Sequence, residues 1–354
     1  MAFKLEPGIV TGTALTDLYD YCQENTCALP AVNVIGSHSA NAAMAAAKEV
    51  GAPVIIQVSN GGAHFFGGKF LDKADGAVAG AVAAAHYIRS IAEAYGVAVV
   101  LHTDHAAKKL IPWVDGMVSA GEAHFEQTGK PLYSSHMLDL SEESLEENLQ
   151  ISADMLTRLH KIGMALEIEL GVTGGEEDGV DNTDVDNAKL YTQPSEVLAA
   201  YEKLQPIGPF SVAASFGNTH GVYKPGNVQL RPDILKNSQA AVVEKHGNGP
   251  KPLHFVFHGG SGSTPEEIAE AVSYGVVKMN IDTDTQWAFC NPVKKYMDEK
   301  DAYLQSQLGN PEGPDKPNKK HIDPRAWLHL GEKGMRDRLV KAFEDLGAHG
   351  KFGN

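Results

Sequence analysis

Cysteine is scarce: among 354 residues only Cys22, Cys27 and Cys290 carry thiols, and no two of them form a CxxC pair. Three thiols cannot all pair within one chain, so a disulfide framework is not expected and a reducing, cytoplasmic setting is. Long apolar runs are missing too. None approaches the roughly 18 residues of a spanning helix, and the opening MAFKLEPGIV has neither the basic region nor the apolar stretch of a signal peptide, so no membrane partner is expected. Positive charge is in short supply, with 30 Lys and Arg against 45 Asp and Glu and a formal net charge of −15. Like charges repel, which argues against nucleic acid as a partner. An anionic substrate would need its positive field supplied locally, by a metal ion, helix N-termini and a few Lys or Arg. Low-complexity tracts are absent, and 43% hydrophobic residues suffice for a sizeable core.

What is present is alternation. Short apolar segments rich in β-branched residues recur: ALPAVNV from Ala28, PVIIQVS from Pro53, VAVVLHTD from Val97, PLYSSHMLDL from Pro131, MALEIEL from Met164, FSVAASFG from Phe210, LHFVFHGG from Leu253 and VVKMNIDT from Val276. Between them lie stretches with helical spacing, for example 39–51, 80–96 and 264–275. Strands alternating with helices imply a parallel sheet, and eight of them favour closure into a single (β/α)₈ barrel over an open sheet. Ser141 is a plausible N-cap for a helix with acids in its first turn. The Pro-, Gly- and Lys-rich stretch 308–320 reads as a surface excursion within about 300–330, before a closing helix at 336–346.

Polar residues collect at the C-terminal ends of these strands, where barrel enzymes keep their active sites. His105, His220 and His258 follow three different strands, and three imidazoles with an open position make a catalytic zinc arrangement, although each taken alone reads more simply as a core or surface histidine. Strand alternation puts His102 with Asp104 and opposite His105 unless the strand ends or bends there. Glu167 and Glu169 share one face of LEIEL. A carboxylate pointing into a barrel needs a partner: Glu169 suits the metal, Glu167 a neighbouring Lys. Gly259 to Ser263, GGSGS, and Thr283 opening a helix match the barrel phosphate site after the last two strands. The glycine-flanked acidic stretch 172–182 reads as a lid carrying a general base, or simply as a solvated loop.

The stretches HTDHAAKK, LEIELGVTGGEEDGVDN, SFGNTHGVYKPGN, FVFHGGSGS and VVKMNIDTDTQWA resemble the class II fructose-bisphosphate aldolases. NPEGPDKPNKKHIDPRAWL resembles the class IIA subgroup of dimeric bacterial and fungal enzymes. The resemblance implies reversible aldol cleavage of fructose 1,6-bisphosphate to dihydroxyacetone phosphate and glyceraldehyde 3-phosphate, through a zinc-stabilised enediolate. By the same resemblance His105, His220 and His258 hold zinc, and Asp139 and Glu169 hold the metal in an alternative, more buried position. Asp104 is the acid/base at the C4 oxygen, Glu177 exchanges the carbon proton and Asn280 touches the enediolate. Gly221, Gly259, Ser261, Asp282 and Thr283 bind one phosphate and a monovalent cation, Na⁺ or K⁺. Ser59 and Arg325 meet the other phosphate, Arg325 from across a homodimer, and Asn33 and Lys319 are further site residues. A tagatose-bisphosphate aldolase and a non-catalytic sugar-phosphate binding protein are the alternatives.

Overall fold

The apolar segments become strands of one parallel sheet because β-branched, aliphatic side chains cover both of its faces, as a sheet wrapped by helices requires. In the computed structural model the described residues are 3–172, 174–177, 180–182, 191–220, 230–260 and 263–353, with only the backbone described at 174–177, 180–182 and 219–220. The strands are β1 (Leu29–Asn33), β2 (Val54–Val58), β3 (Ala98–Thr103), β4 (Ser135–Leu138), β5 (Ala165–Leu170), β6 (Phe210–Ala214), β7 (Phe255–Phe257) and β8 (Val276–Asn280). Each pairs in parallel with the next, β8 pairs with β1, and β4 pairs back to β3, so the sheet closes into a (β/α)₈ barrel. A two-residue strand, Gly8–Ile9, pairs in parallel with the start of β3. Among the described residues no helix is long and apolar enough to cross a membrane.

Helices follow the strands in turn, including Ser37–Val50 after β1, Ile111–Thr128 after β3 and Pro265–Ser273 after β7. Thr264 and Glu267 cap the last of these reciprocally: the Thr264 hydroxyl accepts from the Glu267 amide, and the Glu267 carboxylate accepts from the Thr264 amide. After β2 the helices Asn60–Gly67 and Lys73–Tyr95 approach through glycine. A Cβ on Gly80 would stand 1.8 Å from the Ala63 carbonyl oxygen.

Three local expectations need correction. The N-cap after β4 is Ser144, whose hydroxyl accepts from the Glu147 amide, while Ser141 is drawn back to the Asp139 carboxylate. The helix expected over 80–96 begins at Lys73 behind the Asp72 cap, because the small residues at its start pack against the preceding helix. The closing helix runs from Pro324 to Asp345, started by the Asp323 cap and Pro324, which suits a first helical position. The excursion before it is partly ordered as an antiparallel hairpin, Leu308–Asn310 with Gly313–Pro317.

Candidate active site

Register and alternation decide what meets inside the barrel. Asn33 and Gln57 are register partners at the ends of β1 and β2, and Gln57 Nε2 donates to Asn33 Oδ1 at 2.6 Å. His102 and Ser135 are partners on β3 and β4, and His102 Nδ1 shares a 2.8 Å hydrogen bond with Ser135 Oγ. The same face brings His102 Nε2 to 3.4 Å from Glu167 Oε2. Strand β3 stops at Thr103, so alternation no longer binds the residues after it, and Asp104 and His105 both turn toward the barrel mouth. Their side chains stand 3.1 Å apart, Asp104 Oδ1 to His105 Nδ1.

His105, Glu169 and His258 form one cluster. Their ligand-type atoms all lie within 4.8 Å of one another. Glu169 Oε2 is 3.4 Å from His105 Nε2 and 3.4 Å from His258 Nδ1, and the two rings have centroids 4.4 Å apart. Beneath them Glu167 accepts from His258 Nε2 at 2.9 Å and from Lys278 Nζ at 3.0 Å. Asp139 bridges in sheet fashion to Ala107, and its Oδ1 accepts from the Ser141 amide at 3.2 Å and hydroxyl at 2.6 Å.

Burial would raise all of these carboxylates, and their partners decide the outcome. For Asp104 the charge and hydrogen bond of His105, with Lys278 behind them, outweigh burial and hold it well below the usual range. For Glu169 the hydrogen bonds from His105 and His258 do the same. For Glu167 burial is overcome by the Lys278 charge and then by His102 and His258. Asp139 goes the other way, raised by burial and next by the Glu169 charge. Burial, followed by the Lys278 charge, holds the His102 imidazole down to about 3, so it is neutral near pH 7.

The donor set fits a divalent cation. Two imidazoles and a carboxylate are ligands of the zinc type. Around them three ionised carboxylates, Asp104, Glu167 and Glu169, face Lys278, the one buried ammonium among the described residues. Three buried carboxylates need more positive charge than Lys278 brings, and either the His105 and His258 imidazoles or a divalent cation can supply it.

The remaining candidates are spread around this centre. Asn33 Nδ2 donates to Asp104 Oδ2 at 2.8 Å, and Asn280 Nδ2 donates to Oδ1 at 3.2 Å. Ser59 caps the helix after β2, its hydroxyl accepting from the Gly62 amide at 3.2 Å. Gly259 has a left-handed φ of 59°, at a turn after β7. Asp282 precedes the helix Thr283–Leu304, so Thr283 stands at a helix N-terminus that favours anions. Asn218 fastens the end of β6 to β7 by donating to the His258 carbonyl oxygen at 2.9 Å.

Lys319 lies exposed on the short helix Lys319–Ile322, and Arg325, with an 89% exposed side chain, pairs with Asp323; neither is brought to the cluster within one chain. Gly221 and Ser261 lie outside the described residues, as do the side chains of Glu177 and His220. The backbone of His220 pairs with Gly175 in a small separate sheet, whose other strands, Gly174–Glu177 and Val180–Asn182, belong to the acidic loop. Sequence reasoning passed over Gln57 and Lys278. The available signal was a polar residue inside an apolar strand, VIIQV and VVKMN, on the face shared with other site residues.

Comparison with known proteins agrees with this geometry. The family model described as fructose-bisphosphate aldolase class-II matches residues 13–351. The fructose-bisphosphate aldolase of Edwardsiella ictaluri is 60% identical over 345 residues, covering 97% of this chain and 96% of that protein. The fructose-bisphosphate aldolase class 2 of Escherichia coli K12 is 58% identical over 349 residues, with 97% of each covered. The crystal structure of a fructose-bisphosphate aldolase from Campylobacter jejuni superposes with a TM-score of 0.89 at 56% identity, covering 98% of both chains. With the barrel, the buried histidine and glutamate cluster and these relatives in agreement along nearly its whole length, the chain belongs to the class-II fructose-bisphosphate aldolase family, whose members are metal-dependent lyases.

Proposed function

We propose that this chain carries out the reversible cleavage of fructose 1,6-bisphosphate to dihydroxyacetone phosphate and glyceraldehyde 3-phosphate at the C-terminal mouth of the barrel, with zinc as its native ion. The observation that carries the reading is the placement of Asp104 beside the His105, Glu169 and His258 cluster: an ionised proton acceptor adjoins a set of metal donors. His105, His258 and His220 hold the ion, and Asp139 and Glu169 serve a more buried position for it. When bound, the ion supplies Lewis acidity, stabilising negative charge beside the C2 carbonyl of the substrate.

Asp104 takes the proton of the C4 hydroxyl as the C3–C4 bond breaks, the electron pair stays on C3, and C4 leaves as an aldehyde. In condensation Asp104 returns the proton. Amide donors from Asn33 and Asn280 aim its two oxygens, which supports this role. Glu177, on the acidic loop, delivers the proton that C3 needs before dihydroxyacetone phosphate departs. Gly221, Gly259, Ser261, Asp282 and Thr283 receive one phosphate, with Na⁺ or K⁺ nearby. Ser59 and Arg325 serve the other end, Asn280 contacts the substrate between them, and Asn33 and Lys319 are further residues of the site. The exposure of Arg325 supports its reaching a second subunit in a homodimer. The three thiols, none of them in a disulfide, support a cytoplasmic enzyme.

A coupled assay for triose phosphate, run with and without a chelator and with fructose and tagatose bisphosphates side by side, tests reaction, metal and sugar together. Release from fructose bisphosphate that is abolished by chelation and restored by Zn²⁺ is the expected result. Zinc-loaded protein that releases no triose phosphate would rule the reading out.

A further inference from the structure

Lys278 is fully buried on β8, and its ammonium is surrounded by acceptors: Glu167 Oε1 at 3.0 Å, Glu167 Oε2 at 3.0 Å and Asn280 Oδ1 at 2.8 Å. Each contact dictates a direction beyond itself. An ammonium has donors only, so Asn280 must present its amide oxygen to Lys278. That leaves the amide NH₂ turned the other way, toward Asp104 Oδ1 at 3.2 Å. A carboxylate is acceptor-only, so Glu167, held by Lys278, takes the Nε2–H of His258 at 2.9 Å. A metal-bound imidazole keeps one proton, and with that proton on Nε2 it is Nδ1, the atom 3.4 Å from Glu169 in the three-donor cluster, that is left for the ion.

We propose that Lys278 is a positioning residue of the aldol site, setting the amide sense of Asn280 directly and the tautomer of His258 through Glu167. One buried charge thereby aims a donor at the acid/base and a lone pair at the metal, from side chains on β5, β7 and β8. The ammonium of Lys278 is enclosed by Glu167 and Asn280, so its influence on the site passes through them. Partners that orient a metal-bound histidine commonly change metal affinity or activity by about 10–100-fold when removed. The inference rests on the metal site described under the aldolase reading.

The test uses the full-length zinc-loaded enzyme and its Lys278→Met and Lys278→Met/Glu167→Leu variants. In Lys278→Met, Zn²⁺ affinity measured by chelator competition is expected to weaken about 10–100-fold, and kcat to fall by a similar factor while KM stays nearly constant. The double variant removes both members of the buried pair, which apolar residues replace at little cost in stability. Its thermal midpoint should return toward that of the wild type, with zinc affinity and kcat still low, because the His258 Nε2–H has lost its acceptor. Imidazole ¹⁵N shifts of zinc-loaded protein should show His258 protonated on Nε2 in the wild type and mixed in both variants. Recovery of zinc affinity together with stability in the double variant would reduce Lys278 to a structural role and overturn the proposal. So would a folded variant in which zinc binding and the His258 tautomer are unchanged. If Lys278→Met fails to fold, the double variant decides. A wild-type protein that binds zinc but releases no triose phosphate would sink the aldolase reading, while affinity and tautomer would still decide this one.

Discussion

Asn280 Nδ2 donates to Asp104 Oδ1 across 3.2 Å, tying the last residue of β8 to the residue just after β3. Asn33 donates to the other oxygen at 2.8 Å, so the carboxylate is gripped from both sides and kept ionised by its neighbours. Asp104→Ala is expected to lower kcat on the order of a hundredfold or more with zinc content unchanged, as for loss of a positioned acid/base. Steady-state kinetics on protein assayed for metal checks this. Normal turnover at full occupancy would remove Asp104 from the reaction.

His258 faces two ways, with Nε2 on Glu167 and Nδ1 toward Glu169. His258→Ala should therefore both lose a metal ligand and strip Glu167 of a donor. The expected outcome is protein purified with little zinc and no aldol activity. Stoichiometric zinc with normal activity would refute the ligand assignment.

Metal should also stabilise the fold. A ligand that binds only the native state at a hundred times its Kd adds about 2.7 kcal/mol. Zn²⁺ added to chelator-treated protein should raise the thermal midpoint in a concentration-dependent way, and His105→Ala should abolish that rise. A midpoint indifferent to Zn²⁺ would contradict the buried donor set.

His136 supplies a pH test away from the metal donors. It is buried on β4, its Nδ1 shares a 2.8 Å hydrogen bond with Thr103 Oγ1, and burial is the main cause that takes its pKa from 6.5 down to about 3. The native imidazole stays neutral while the unfolded one gains a proton as pH falls through 6.5. Its contribution is thus intact above that pH and is lost progressively toward pH 3, by about 1.4 kcal/mol per pH unit. Denaturant unfolding of His136→Gln should show a shallower loss of stability between pH 6.5 and 5, corresponding to about one proton fewer taken up. Equal slopes would mean that His136 is already protonated in the native state.

Gly80 sits where the helices Asn60–Gly67 and Lys73–Tyr95 touch, and its Cβ would meet backbone oxygen, which cannot rotate away. Gly80→Ala, despite its better helix propensity, should cost about 1–3 kcal/mol as an overpacking change. Thermal or urea unfolding measures it, and a stabilised variant would show that the helices separate freely.

The strands and their order were legible because each is a short apolar run bounded by turn residues, and all eight segments from Ala28 to Val276 became barrel strands. Polar residues at strand ends were equally legible: His105, Glu169 and His258 stand out chemically from the apolar runs beside them. Gln57 and Lys278 escaped notice because a single polar residue inside a strand reveals its partner only once the barrel is closed. The Lys278 and Glu167 contact spans 111 residues of sequence. His102 was undecidable from alternation, because where β3 ends depends on its neighbours rather than on its own residues.

The sequence by itself determined the alternation of strands and helices, the parallel sheet and the family, since these depend on local periodicity and on long matched stretches. Only the tertiary structure decided which donors converge. It set His105 and His258 around Glu169, Lys278 beneath Glu167, and Asn33 and Asn280 on either side of Asp104. The physical reason is that strand register and barrel closure, which are cooperative properties of the whole sheet, fix those distances, and no stretch of chain encodes them alone.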